Sequence, residues 1–167
     1  MKKYKIALIY AVIFFFQPFL GSIIPAFNLP DLILCITLMH ILIGKEDETP
    51  AFLLFGALFS LLVDICLYQF WGVSVIALLA AVGVALIFKR LINNENILMV
   101  TAAMIVVSMT YNFCYWLISF MLGSPFGFAY MFKHAAIIII ADIVVCQIIY
   151  FIKIGEIIQA RRDRYFR

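Results

Sequence analysis

Apolar residues in this chain arrive in six long runs, and that pattern leaves few folds open. The runs cover 6–24, 29–43, 51–67, 73–88, 97–122 and 130–152. Between them stand short breaks: Pro25 and Pro30, GKEDETP at 44–50, YQFWG at 68–72, KRLINNEN at 89–96 and GSPFG at 123–127. Clusters of Gly, Pro, Asn and charge of this kind end a helix. Long unbroken apolar runs exclude a membrane β-barrel, whose strands alternate over about ten residues. With 67% hydrophobic and 13% charged residues, and a mean hydropathy of +1.16, the chain lacks the polar surface of a soluble domain, in which about 25% of residues are charged. We expect a single all-α polytopic membrane domain with six transmembrane helices, followed by a basic tail at 153–167.

The basic residues orient it. If the N-terminus is cytoplasmic and all six runs cross, eleven of the twelve lysines and arginines are cytoplasmic and only Lys133 is outside. This satisfies the positive-inside rule. Treating the short second run as re-entrant would put eight of the twelve outside. Both termini are therefore expected in the cytoplasm. KKYK before the first run resembles a signal peptide, but no A-x-A site follows, so the segment is expected to be retained. The basic tail suits the anionic inner leaflet, and nothing in it suggests a nucleic-acid partner.

One run carries an acid. In AFLLFGALFSLLVDICL, Asp64 interrupts an otherwise uncharged stretch. A carboxylate at mid-membrane costs roughly 2.5–3.5 kcal/mol on insertion scales, so it is rarely left facing lipid. Ser60 and Gly56 lie about 40° and 80° around the helix from it. Gly56, Ser60 and Asp64 thus form a face of two small residues and one polar group, suited to helix–helix packing or to a partner. Ser74, Ala77, Ala81 and Ala85 make a second small-residue seam.

Asp142 lies deep in the sixth run among isoleucine and valine. Asp31 follows Pro30 and is expected as a first-turn acid favoured by the helix dipole. His40 is expected to have a satisfied polar contact. The fifth run carries Thr101, Ser108, Asn112, Tyr115 and Ser119 within about 60° of helix circumference. Such a stripe must face other helices or a cavity, through interhelical hydrogen bonds or as a ligand-lining wall.

Catalytic patterns such as G-x-S-x-G, H-E-x-x-H or a phosphate-binding loop are missing, and two histidines leave little scope for general-base chemistry. Cys35, Cys66, Cys114 and Cys146 sit singly in apolar runs, without metal-ligand spacing. We expect a non-enzymatic protein without a cofactor.

The order of features is familiar. Asn28-Leu29-Pro30-Asp31-Leu32, then Gly56-xxx-Ser60-Leu61-Leu62-Val63-Asp64, then Trp71-Gly72, then Tyr111-Asn112-Phe113 and the acid Asp142 resemble the rod-shape-determining MreD family. Ser60 stands where that family usually has glycine, and Asp142 where it often has glutamate. The resemblance spans nearly the whole chain. It implies a six-helix fold like the S-components of energy-coupling-factor transporters, and a bacterial inner-membrane protein of the cell-elongation complex (elongasome). That protein would bind MreC and help couple MreB to the glycosyltransferase and transpeptidase of peptidoglycan synthesis. The second reading is an S-component itself, with the helix-five stripe as a vitamin pocket. The sequence leaves the oligomeric state open.

Overall fold

A computed structural model describes residues 3–23, 31–44, 46–67, 71–91, 97–124 and 127–165. They form six α-helices and one 3-10 turn: α1 (Lys3–Ile23), α2 (Leu32–Ile43), the turn Glu46–Glu48, α3 (Thr49–Leu67), α4 (Val73–Leu91), α5 (Ile97–Met121) and α6 (Phe128–Tyr165). Four stretches are long and apolar enough to cross a membrane: Thr49–Cys66, Val73–Leu91, Ile97–Met121 and Met131–Lys153. The apolar stretches Tyr4–Phe19 and Leu32–Ile43 are shorter. The molecule is a multi-pass α-helical membrane protein.

The helices are not equivalent. α2 has twelve residues, of which ten are buried. At 1.5 Å per residue it is about 18 Å long, against a hydrocarbon core of about 30 Å. It is enclosed by α1, α3, α4 and α6. A helix apolar on every side belongs in the interior, and here the shortest helix is the axis of the bundle. Its residues divide two cores. On one side Ile33 packs with Ile6, Tyr10 and Ile13 of α1 and with Phe52 and Val63 of α3. On the other Leu34, Leu38 and Leu42 meet Ala77, Ala81 and Ala85 of α4, Ala103 and Val107 of α5, and Cys146 and Tyr150 of α6.

In lipid, burying a leucine against another helix gains little over leaving it in hydrocarbon, so close approach of small residues drives association. The α4 seam fits: Ala77, Ala81 and Ala85 are fully buried and Ser74 nearly so, and α4 packs most extensively on α5. The opposite surfaces stay greasy, with Phe15, Leu98 and Ile140 among the large exposed side chains.

Two boundaries differ from the sequence reading. α2 begins at Leu32, with Asp31 as its N-cap instead of a first-turn acid. α6 does not stop near residue 152 but continues as helix to Tyr165, 38 residues in all. Pro18 lies inside α1, which runs on to Ile23.

Candidate functional site

A helix that starts inside a bundle presents up to four backbone N–H groups with no partner, together with the positive end of its dipole. In a membrane those groups must be satisfied by protein. The start of α2 shows how this chain does it. Asp31 has extended backbone geometry, and its Oδ1 accepts from the Leu34 N–H at 3.0 Å. Its Oδ2 accepts from the Tyr111 hydroxyl of α5 at 2.8 Å. Both oxygens are thus used, one to cap α2 and one to fasten it to α5.

The start of α4 is built the same way, with the acid supplied by a neighbour. Asp64, fully buried near the end of α3, accepts from the Ser74 N–H at 2.9 Å and from the Ser74 hydroxyl. The Gly72 N–H faces the same carboxyl. Gly72 has φ +84°, a left-handed conformation that glycine adopts without steric cost and that turns the chain into α4. Two helix N-termini are therefore each held by an aspartate.

Asp142 completes the group. It comes from α6, is fully buried, and takes a long thiol contact from Cys35 of α2, Sγ to Oδ1 at 3.5 Å. The Ser108 hydroxyl of α5 and the Asp31 N–H face the same carboxyl. Asp31 lies within electrostatic reach of both Asp64 and Asp142. Three acids from separate stretches of sequence thus gather around the start of α2. Among the described residues no group of three His, Cys, Asp or Glu side chains is placed to hold a metal ion.

The Gly56–Ser60–Asp64 face lies within the molecule. A Cβ on Gly56 would stand 2.7 Å from Thr37 Oγ1, so the glycine is what allows α3 to approach α2 here. Thr37 donates to the Ile33 carbonyl at 2.7 Å and shares a 2.6 Å bond with the Tyr10 hydroxyl of α1. Ser60 is buried at 4% exposure, and Asp64 reaches α4. One side of α3 therefore meets α2 at Gly56 and α4 at Asp64. Pro30 lies outside the described residues.

The helix-five stripe behaves less uniformly. Thr101 donates to the Ile97 carbonyl at 2.8 Å and Asn112 to the Ser108 carbonyl at 2.8 Å, both within α5. Ser108 is fully buried and turned toward Asp142. Tyr115 stacks on Tyr111, and Ser119 is buried. An apolar groove of about 390 Å³ between α5 and α6, lined by Met109, Phe113, Met131, Phe132 and Ala135 among others, lies apart from these polar groups.

At the far end of α2, His40 stacks on Phe52 with ring centroids 3.4 Å apart. Its Nε2 is 3.1 Å from Glu48 Oε2, and its Nδ1 meets the Lys153 ammonium. An ammonium can only donate, so Nδ1 accepts and the ring proton on Nε2 goes to Glu48.

Spacing alone did not single out Tyr111, Cys35 or the pairing of Ser74 with Asp64. A tyrosine among aromatics and a serine in an alanine seam look like packing until the folded chain brings the acids to them. Neither protein-family models, nor curated proteins, nor solved structures match this chain.

Proposed function

We propose that this chain is a non-enzymatic inner-membrane component of the bacterial cell-elongation complex, with six spans and both termini cytoplasmic. In this reading it binds MreC and helps couple MreB to the peptidoglycan glycosyltransferase and transpeptidase. The observation that carries the reading is the fate of the residues behind the resemblance. Asp31, Gly56, Asp64, Gly72 and Asp142 all serve to fix helices against one another. A fixed bundle with an apolar exterior suits a scaffold whose partners dock from the membrane. A vitamin carrier needs polar groups left open to a ligand, whereas Asp31 and Asp64 bond to Tyr111 and Ser74.

The test is affinity purification from mild detergent followed by mass spectrometry. Recovery of MreC with the elongation synthases is expected. Recovery of paired ATPases with a membrane coupling subunit instead would assign the chain to vitamin transport. An alkaline phosphatase fusion at Arg167 should be inactive, and an active one would overturn the six-span orientation.

A further inference from the structure

We infer that Asp142 is a proton-holding site inside the bundle, kept as the neutral acid with its Oδ2 proton donated to the Ser108 hydroxyl. Two buried oxygens lack a hydrogen-bond partner on facing helices: Oδ2 of Asp142 on α6 and Oγ of Ser108 on α5. Both residues are fully buried, and the hydroxyl faces the carboxyl. One proton on Oδ2 turns these two unpaired atoms into one bonded pair.

An ionised carboxylate could accept from the serine instead, so the choice rests on the surroundings. Asp31 and Asp64 have donors suited to an anion: each receives a backbone N–H at a helix N-terminus and a hydroxyl besides. Asp142 has a thiol on Oδ1, which is a weak donor, and the Asp31 N–H facing it. The titratable groups around it are Asp31 and Cys35 at the start of α2, Cys146 beside Cys35 on α6, Tyr111 on α5 and, beyond Asp31, Asp64 of α3. None of them carries positive charge, and one is a carboxyl that would repel an anion. A buried ion without a counter-charge is strongly disfavoured, and protonation is the ordinary way out. The ligand of this site is therefore a single proton, which also removes the repulsion between the acids of α2 and α6.

The test is an infrared difference spectrum of the full chain in lipid nanodiscs at neutral pH, wild type minus Asp142→Asn. The expected result is loss of one protonated-carboxyl C=O band in the variant. Loss of carboxylate stretches in its place would overturn the proposal. Ser108→Ala supplies a second reading if Asp142→Asn fails to fold. That band should shift to higher frequency as its hydrogen bond is removed, and the absence of a protonated-carboxyl band, or one indifferent to Ser108→Ala, would equally refute the assignment. The inference does not depend on which partners the protein binds.

Discussion

The two ends of α2 solve opposite problems. At its start the backbone offers N–H groups and a positive dipole, and the chain answers with buried acids and hydroxyls from α3, α5 and α6. At its end the chain answers with a neutral histidine held between Glu48 and Lys153, beside the turn that leads to α3. The first arrangement is closed, with Asp64 and Asp142 fully buried; the second is half-buried, Glu48 and Lys153 retaining some exposure. The difference teaches where polar groups are structurally demanding. A buried group deprived of its partner keeps its full desolvation penalty, whereas water can replace the partner of one near the surface.

That contrast can be broken by measurement. Asp31→Ala should have the largest effect, since it removes a helix cap worth about 1 kcal/mol and strands the Tyr111 hydroxyl at a further cost of about 1–3 kcal/mol. Thermal unfolding in detergent should show a clear loss, with Asp31→Asn recovering much of it because asparagine also caps helices. Tyr111→Phe comes next, at about 1 kcal/mol for one hydrogen bond, and should add nothing when placed in an Asp31→Ala background. Additivity of the two would mean that the Asp31–Tyr111 bond is not what either mutation removes. Glu48→Gln should be smallest, within about 1 kcal/mol and reduced further by salt. If it matched Asp31→Ala, the distinction between a closed and an open end would fail.

Much of this was legible in the sequence. The six helices follow from apolar runs and their punctuation, because membrane insertion reads hydrophobic length directly. Asp64 and Asp142 stand out because a charge in such a run is expensive wherever it points. What pattern alone did not give is their grouping. The periodicity of one helix places Asp64 on a face with Gly56 but says nothing of α4, whose Ser74 it caps. Likewise the five polar residues of α5 share a side by spacing, yet Thr101 and Asn112 bond back to their own helix while Ser108 faces Asp142. Tyr111, one position before Asn112, makes the contact with Asp31. The end of α6 was missed for a different reason: a basic sequence following an apolar run ends the span without ending the helix.

The brevity of α2 also bears on the order in which the protein is made. Three of the four helices that enclose it, α3, α4 and α6, are synthesised after it. Until α6 arrives, Cys35 and the Asp31 N–H have nothing from that side against them, and twelve residues are too few to hold a stable place in a bilayer alone. Closure of the bundle is therefore the last act of translation, completed where α2 meets Asp142. A ribosome that stalls before α6 would leave an unclosed chain, recognisable by membrane quality control through the uncovered flank of its central helix.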